Sequence, residues 1–574
     1  TDFNMRERRT AIVVPPSATL DERIRGLFPP GAMYKCDPEP MNTLAERRMR
    51  QMSSDIRSKT DWMETIDDAD TRTGWATEAK AKELTDVEFA YVMDELAYYA
   101  SLHPPGSNIR LSAADGVWFS DIPIDAKTTG ELKDYATILE GVPDHQKDWY
   151  PKDRSRVLNL VDPSLYPLTY SRSKLCRQTS TSPQTALTLE DAGEFPGSLD
   201  EWRKALHVGE DGESDYYLPI WDWQYGSYTS DKFSWLPSEF CIDDNGVVTI
   251  ESYINNLHPV KHATLYPIIA SVFSKVVPLL EQVVTDLVHP RQRRVIPDSS
   301  EYYESNEAMP DNDSDDYEED LILWKSRATF VHPQPEPFVE PARPVIPYKL
   351  CGRRLQAIVK MTSIELTSKR PIYGGEDWSV VGLGNERIIA TGIYFYDVVN
   401  IAPASLRFRE TLCSWDFEAE QFDIESVVKA YGIEQSRLRE SDLVSQELGS
   451  VGIKDERCVV FPNVHQFKMP ELKLADKTKT GHCKMLTFYF VDPSTRIPST
   501  EIVPPQQQDW YFADILASEP FRSLPHLVVE GIMAKVDFPI SLKTAKKLRP
   551  QVHFDKKGEA ISFDFYEPNV YFSA

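Results

Sequence analysis

The chain has 574 residues, of which 41% are hydrophobic and 11% aromatic, so it can form a sizeable core and is not disordered as a whole. Its 89 acidic and 63 basic residues give a net charge of −26, which repels phosphate backbones and argues against nucleic acid as a partner. The seven cysteines include no CxxC pair, which gives no support to a zinc ribbon and little to a secreted disulfide framework.

The N-terminal residues 1–9 are charged and lack the apolar core of a signal peptide. No window of the chain approaches the roughly eighteen uninterrupted apolar residues of a membrane-spanning helix, so we expect no membrane partner. These two features predict a soluble, cytoplasmic protein.

The first part of the chain, residues 1–110, is predicted to be mainly helical. Thr85 can cap a segment in which apolar residues recur at three- and four-residue spacing as far as Met93. This pattern is typical of a helix that turns one face toward a core.

Residues 111–290 are predicted to be a mixed α/β region that packs on the core. The clearest helix follows His262, where a wide apolar stripe continues to Leu287. Pro278 lies inside the stripe and is expected to kink the helix.

The composition changes over residues 291–348. An acidic and polar run reaches Asp316, and a Pro-rich run follows from Pro333 to Pro347. Such compositions predict a mobile segment that leads into an extended one.

Short β-branched and aromatic runs dominate residues 349–500 and predict a sandwich or barrel of strands. The runs are 355–361, 386–396, 458–461 and 484–491. Residues 501–574 are predicted to wrap back over this core, with a helix near Asp509 to Ala517 and a strand-like tail.

Several motifs give the chain a family resemblance. They are 232–238, 252–262, 352–356, 377–382, 385–388, 446–449, 461–468, 481–484 and 503–507. These segments resemble the fungal domain-of-unknown-function family 4246, whose members look like iron and 2-oxoglutarate oxygenases of the cupin type. The resemblance implies an α+β fold in which residues 349–500 form a double-stranded β-helix (jelly roll), buttressed by helices from 40–100 and 262–288 and carrying N- and C-terminal extensions.

The resemblance also implies a dismantled metal site. Oxygenases of this type bind iron through His-x-Asp/Glu and a second His, with open positions for a keto acid and dioxygen. Ser379, Val381 and Phe467 stand at these three ligand positions, and Cys483 stands where the family has an Arg. We therefore expect no metal, no cofactor and no use of 2-oxoglutarate.

A rebuilt metal centre is the alternative at the same place. His465 lies two residues before Phe467, and Glu386 and Asp397 supply nearby carboxylates. In the simpler interpretation, His465 is a loop or strand-end residue and Glu386 forms a structural ion pair with Arg387.

The replacements predict a drier pocket that binds organic molecules through apolar area with a few polar anchors. Its predicted catalytic residues are Ser379, His465 and Lys484. The residues predicted to line the pocket are Trp378, Val381, Tyr394, Tyr396, Asn463, Gln466, Phe467 and Cys483. The alternative is a barrel that side chains fill completely.

The favoured function is a metal-independent cyclase or isomerase of fungal secondary metabolism that acts on a bulky, apolar organic ligand. The first alternative is a pseudoenzyme that binds and regulates an intact enzyme, with a protein or a second copy of the chain as its partner. An exposed apolar patch would favour this alternative. The second alternative is an iron oxygenase with relocated ligands.

Overall fold

The computed structural model describes most of the chain between residues 19 and 557. The described ranges are 19–21, 39–40, 42–59, 61–102, 108–121, 124–150, 156–176, 182–183, 194–206, 216, 218, 229–289, 293–298, 302–310, 317–340, 346–413, 424–432 and 444–557. Within these ranges helices combine with largely antiparallel sheets, which confirms the α+β class. The strand-like tail expected at the C-terminus lies outside them.

The helices lie mostly before and after the central strands. They are α1 (Leu44–Ser58), α2 (Trp62–Thr65), α3 (Ala69–Ala81), α4 (Asp86–Ser101), α5 (Ala126–Glu140), α6 (Leu199–Ala205), α7 (Leu265–Val288), α8 (Tyr317–Arg327), α9 (Ile424–Tyr431), α10 (Gln508–Ala517), α11 (His526–Met533) and α12 (Leu542–Lys557). The predicted helices correspond to α4, α7 and α10. Thr85 caps α4 as expected, in a reciprocal capping box with Glu88.

The strands are concentrated in the second half of the chain. They are β1 (Glu39–Pro40), β2 (Ile109–Leu111), β3 (Trp118–Asp121), β4 (Asp148–Trp149), β5 (Val157–Val161), β6 (Leu168–Thr169), β7 (Phe233–Ser234), β8 (Ser238–Ile242), β9 (Val248–Ile250), β10 (Tyr303–Glu304), β11 (Thr329–Phe330), β12 (Arg354–Leu366), β13 (Ile372–Tyr373), β14 (Ile388–Val399), β15 (Ser405–Cys413), β16 (Val444–Gly452), β17 (Arg457–Pro462), β18 (Gln466–Lys468), β19 (Leu472–Lys473) and β20 (Gly481–Val491). The four runs predicted as strands lie in β12, β14, β17 and β20.

Ten of the described strands form the large sheet. Its order is β2-β3-β17-β14-β20-β12-β5-β4, with β8 paired to the start of β12 and β9 paired to β8. The central strand, β20, is antiparallel to both β12 and β14 over most of its length. This long pairing fixes which residues of the three strands lie side by side.

Four of the described strands form the small sheet. β15 lies between β16 and β18, to which it is antiparallel, and β1 runs parallel to it. Close by, β13 pairs with β19, and Ser379 forms an isolated antiparallel bridge with Phe467 of β18.

The inner faces of the two sheets pack against each other, and we call the region between them the cleft. Its floor is an apolar cluster, the inner cluster, which combines Ile393 and Phe395 of the large sheet with Leu406 and Phe408 of the small sheet. All four side chains are buried. The hydrophobic effect therefore holds the two sheets face to face.

The other face of the large sheet packs against helices through a second apolar group, the helix-side cluster. Phe273 of α7 contacts the rings of Phe488 and Phe490 at centroid distances of 5.2 and 5.5 Å. At Gly392 a Cβ atom would lie 3.1 Å from Val276 and 3.0 Å from Phe490, so a larger residue there would require these side chains to shift by a few tenths of an ångström.

Helix α7 is long and apolar enough, by length and composition, to cross a membrane. However, 67% of its most apolar window is buried inside the protein. Its apolar residues pack on the large sheet, as in the core helix of a soluble globular protein, and Pro278 lies within the helix as the sequence indicated.

The segment 291–348, predicted to be mobile and extended, contains regular structure in its described part. Here α8 packs against the antiparallel pair of β10 and β11: Trp324 contacts Tyr303 at a centroid distance of 6.1 Å, and Phe330 contacts Tyr303 at 5.7 Å. The Trp324 indole also donates to the Glu307 carbonyl oxygen (2.9 Å). These aromatic contacts explain the difference, because composition alone gives no weight to ring packing.

A buried arginine joins the N-terminal helices. The Arg294 guanidinium donates to Glu46 of α1 and to Glu95 of α4, each at 3.0 Å, and Asp115 lies 3.8 Å away. Arg294, Glu46 and Glu95 are all buried. The three carboxylates hold the pKa of Arg294 well above its ordinary value despite burial.

Replacing Arg294 by methionine is expected to destabilise the protein by about 3–5 kcal/mol, because buried Glu95 loses its counter-charge and buried Glu46 keeps only its pair with Arg50 (3.0 Å). The matched control is Lys59→Met, which removes an exposed ion pair with Glu78 (3.0 Å) and should cost at most about 1 kcal/mol. Urea unfolding followed by circular dichroism measures both. Equal effects of the two variants would contradict this account of the helical region.

Candidate functional site

Ser379 and Phe467 face each other across neighbouring strands. The Ser379 amide donates to the Phe467 carbonyl (3.1 Å), and the Phe467 amide donates to the Ser379 carbonyl (3.0 Å). Residues paired in this way direct their side chains to the same face. Phe467 packs against the inner cluster, so this face is the cleft side, and two of the aligned ligand positions are adjacent there.

Val381, at the third aligned position, is held by Asn463. The Asn463 amide group accepts a hydrogen bond from the Val381 amide (3.0 Å) and donates one to the Val381 carbonyl (2.8 Å). It also donates to the Ile388 carbonyl (3.1 Å). Asn463 is buried, and these bonds make it a clamp for the turn before β14 rather than a group that faces a ligand.

Apolar side chains surround this end of the cleft and form a third group, the end cluster. Its buried members are Phe233, Trp235, Ile358, Val381, Ile388, Tyr489 and Val552. Phe467 contacts both this cluster and the inner cluster, and it lies 5.0 Å from the Phe461 ring. Val381 and Phe467 therefore contribute packing, and neither side chain carries an atom that ligates iron.

Sequence reasoning missed a lysine on the inner face of β12. Ile358 and Ile364 pack into the end and inner clusters, whereas Val359 and Met361 pack into the helix-side cluster. Since side chains alternate along a strand, Lys360 lies on the same face as Ile358 and Ile364. It therefore points into the cleft.

Two hydroxyl groups of β20 accompany Lys360. Thr487 is directly opposite Lys360 in the β12–β20 register, and Tyr489 is opposite Ile358. The Tyr489 ring stacks on Trp235 at a centroid distance of 5.6 Å. Thr487 and Tyr489 keep 8% and 7% of their surface exposed, and Lys360 is also partly exposed, so polar surface persists at this end of the cleft.

The charges at this end follow from these neighbours. Tyr489 raises the pKa of Lys360, burial opposes this, and Glu376 adds to the increase, so the pKa lies above its ordinary value. Burial raises the pKa of Tyr489, and Lys360 opposes that shift. At neutral pH the site therefore holds an ammonium group beside a protonated phenol.

Helix α12 covers this end of the cleft. Val552 belongs to the end cluster, and Leu548 packs against it. Arg549 anchors the helix through two hydrogen bonds to Asp148 (2.6 and 3.1 Å) and an ion pair with Asp162 (3.2 Å). The lysine-rich start of α12 therefore belongs to an element that closes the site.

Tyr394 and Tyr396 do not line the cleft, which corrects the expectation that they share a pocket with Phe467. Both are buried in the helix-side cluster. The Tyr394 hydroxyl hydrogen-bonds to Thr129 of α5 (2.9 Å), and burial raises its pKa to about 12. Their neighbour Phe395 faces the cleft instead, because alternation assigns 394 and 396 to the opposite face.

Lys484 is likewise on the helix side, where it pairs with Glu140 of α5 (3.1 Å) and Asp397 (3.7 Å). Cys483, one residue earlier, is buried in the inner cluster. The structure therefore separates Lys484 from Ser379. It places Cys483 in the packed floor of the cleft.

Trp378 lies on the outer face of the small sheet, which corrects its predicted place in the pocket. Its ring is flanked by Arg409 and Arg407, at 4.6 and 5.4 Å from the ring centre, and by Lys468 at 5.9 Å. Gln466 accepts a hydrogen bond from Arg409 (2.7 Å). The environment of Trp378 is thus a set of cation–π contacts.

His465 lies in the turn between β17 and β18. Its Nε2 atom is 3.1 Å from the Asp115 carbonyl oxygen. Glu386 accepts hydrogen bonds from the amides of Leu383 (2.6 Å) and Trp235 (2.8 Å), and Asp397 pairs with His482 (2.8 Å). The three side chains considered for a rebuilt metal centre thus have separate partners.

Across the described residues, no three His, Cys, Asp or Glu side chains come together as a set of metal ligands. At this end of the cleft, the pairing of β12 with β20 places Lys360 beside Thr487, with Tyr489 on the next row. Ser379 lies beside Phe467, which packs against the end cluster that contains Tyr489. This donor set suits hydrogen bonding and charge pairing with an organic molecule rather than iron coordination.

Cys483 is expected to resist alkylation in the native protein, because it is fully buried and burial raises the pKa of its thiol. Cys351 is exposed and provides the matched comparison in the same sample. Peptide mass mapping after brief iodoacetamide treatment at pH 8 should find Cys351 modified and Cys483 intact until urea is added. Equal modification under native conditions would mean that the floor of the cleft is open.

Two family models match the sequence of this chain. The model described as "Protein of unknown function (DUF4246)" matches residues 86–514. Its companion, "Domain of unknown function DUF4246, N-terminal", matches residues 11–78. The first match includes every strand of the cleft, and no curated protein matches the chain.

Several solved structures show distant likeness. The crystal structure of IDO from Bacillus thuringiensis has 8% identity and a TM-score of 0.14, over 24% of this chain and 46% of that one. The Fe(II)/(alpha)ketoglutarate-dependent dioxygenase TqaL has 10% identity and a TM-score of 0.19, over 47% and 72%. A bsmA homolog from Methylobium petroleophilum has 9% identity and a TM-score of 0.14, over 25% and 44%. This chain thus spans less than half of the IDO structure, and likeness at these scores carries no argument about activity.

Proposed function

This chain belongs to the DUF4246 family, as its motifs predicted, and we propose that it binds and converts a small organic molecule at the Ser379 end of the cleft without a metal ion. The single observation that supports the proposal is the set of side chains there. Val381 and Phe467 pack into apolar clusters, and the ammonium of Lys360 lies on the inner face beside the Thr487 hydroxyl.

We also propose that the cleft is a double-stranded β-helix. Eight strand segments are divided equally between the two sheets. In chain order they are formed by β12, β13 with 379, β14, β15, β16, β17, β18 with β19, and β20. Numbered one to eight, they have the order 1-8-3-6 in the large sheet, and 2-7-4-5 beside it. The pairs 1-8, 2-7, 3-6 and 4-5 are those of one long hairpin wound around itself, which supports a jelly roll.

The composition of this end suits a ligand with a mainly apolar body. Val381, Phe467 and Trp235 offer apolar surface, and the hydroxyls of Ser379 and Tyr489 offer a few hydrogen bonds. Small-molecule sites combine these two features. This supports the predicted apolar ligand, although the packed inner cluster leaves less room than an open barrel would.

The chemistry that fits best is proton transfer, as in an isomerase or cyclase. Because burial raises the pKa of Tyr489, its phenol keeps a proton at neutral pH and can donate it or a hydrogen bond to a substrate oxygen. In this proposal the hydroxyls of Ser379 and Tyr489 contact the substrate. They replace the predicted catalytic set of Ser379, His465 and Lys484.

A second candidate function, binding of a protein partner, is favoured by the surface of α11. Large apolar side chains on and beside this helix are exposed. They are Leu524, Leu527, Val528, Ile532, Val536 and Leu542. Such a patch is typical of interaction sites, and it lies outside the cleft, as expected for a pseudoenzyme that regulates another protein.

A thermal-shift screen of organic metabolites in the presence of EDTA tests the proposal. At least one compound should raise the melting temperature, since a ligand at about 100 times its Kd stabilises by about 2.7 kcal/mol. Thr487→Met, which fills the inner face beside Lys360, should abolish that shift. Thr478→Met changes an exposed residue and serves as the matched control.

The proposal fails if stabilisation requires ferrous iron together with 2-oxoglutarate, which would restore the oxygenase alternative. It also fails if no organic compound binds. In that case, a self-associating protein that becomes monomeric in Leu527→Asp would favour the partner-binding alternative.

A further inference from the structure

We infer that Lys360 binds the carboxylate group of a monocarboxylic organic acid whose apolar body lies against the end cluster. This inference rests on the proposed function and names the substrate class of the same site. It starts from the one lysine that β12 directs into the cleft.

Lys360, which is partly exposed, differs from the buried arginines of the described part of the protein. Arg294 pairs with Glu46 and Glu95, and Arg387 pairs with Asp492 at 2.9 Å. Lys360 forms neither an ion pair nor a hydrogen bond with any residue in the described ranges. The side chain is partly exposed and its ammonium is not engaged by these residues, so it can form a charge-assisted hydrogen bond with an anionic ligand.

Hydroxyl groups surround the place where such an anion would lie. Thr487 is paired with Lys360 across the strands, and Tyr489 is on the next row. Thr391 of β14 is paired with Tyr489, and its buried hydroxyl has no hydrogen-bond partner among the described residues. A carboxylate accepts several hydrogen bonds at once, so it can use the ammonium and neighbouring hydroxyls together.

The electrostatics favour one negative charge over two. After Tyr489, the carboxylates of Glu376 and Asp162 also raise the pKa of Lys360, so negative charge is already present around the ammonium. This charge repels a ligand with two negative charges more strongly than a ligand with one. Lys360 stays protonated at neutral pH for the same reason, which suits ion pairing and not nucleophilic attack.

The rest of the ligand must suit apolar surroundings. Ile358 lies beside Lys360 on the inner face, and Val381, Trp235 and Phe467 contact the same end cluster. Dicarboxylates and inorganic phosphate would place charge or polar surface there without partners. An acid with an aromatic or branched apolar body satisfies both halves of the site.

The probe that tests the inference is phenylacetate, compared with phenylethanol, 2-oxoglutarate and inorganic phosphate by thermal shift and calorimetry. Phenylacetate should raise the melting temperature of the wild type. Lys360→Met should weaken its binding at least about tenfold, the scale of a lost charge-assisted contact. Lys360→Arg should retain measurable binding. Lys473→Met, at an exposed lysine paired with Glu471, should bind like the wild type.

The inference is overturned if Lys360→Met binds phenylacetate as tightly as the wild type does, or if phosphate or 2-oxoglutarate stabilises the protein more strongly. Should phenylethanol bind between the sheets while phenylacetate does not, the carboxylate inference fails and the proposed function stands. If neither these probes nor any other organic compound binds, both fail. Lys360→Arg keeps the charge and still gives a result if the Met variant does not fold.

Discussion

Successive side chains of the central strands point to opposite faces of the large sheet, and the rest of this structure depends on that constraint. β12, β14 and β20 are buried on both faces, so each residue serves either the cleft or the helices, never both. Phe395 and Lys360 belong to the cleft, whereas Tyr394 and Lys484 belong to the helix side. Because β20 pairs with both β12 and β14, residues that lie opposite each other in these three strands point to the same face of the sheet.

The backbone of the candidate site is held in place independently of the side chains that it carries. Ser379 and Phe467 are held together by backbone hydrogen bonds, which do not depend on the side chains. Asn463 holds the backbone of Val381 in the same way. The side chains at these positions are therefore free to change, and apolar replacements gain stability by joining the clusters on either side.

The sequence predicted one contact of the candidate site correctly and placed several other residues on the wrong face of the sheet. The motifs around Ser379 and Phe467 predicted that these residues meet, and they do. The run from Ile388 to Tyr396 is mostly apolar on both faces, so the sequence pattern does not show which of its residues face the cleft. The predicted pocket consequently placed Tyr394 and Tyr396 on the wrong side of the sheet.

Lys360 illustrates the opposite failure. A single charge within the apolar run from Leu355 to Met361 is a signal that could have been used, since a lysine on a two-sided buried strand is unusual. The contact of helix α12 with the site could not be predicted from the sequence, because its lysine-rich start is typical of solvated surface. Its contribution depends on Arg549 reaching Asp148 and Asp162, which are distant in sequence.

The most direct test of a metal-free site is anaerobic titration with ferrous iron, followed by desalting and measurement of bound iron. The wild-type chain is predicted to retain far less than one iron per chain, with or without 2-oxoglutarate. A triple variant, Ser379→His with Val381→Glu and Phe467→His, is predicted to retain about one, because it supplies the two imidazoles and one carboxylate of a facial triad. Stoichiometric iron in the wild type would contradict the account.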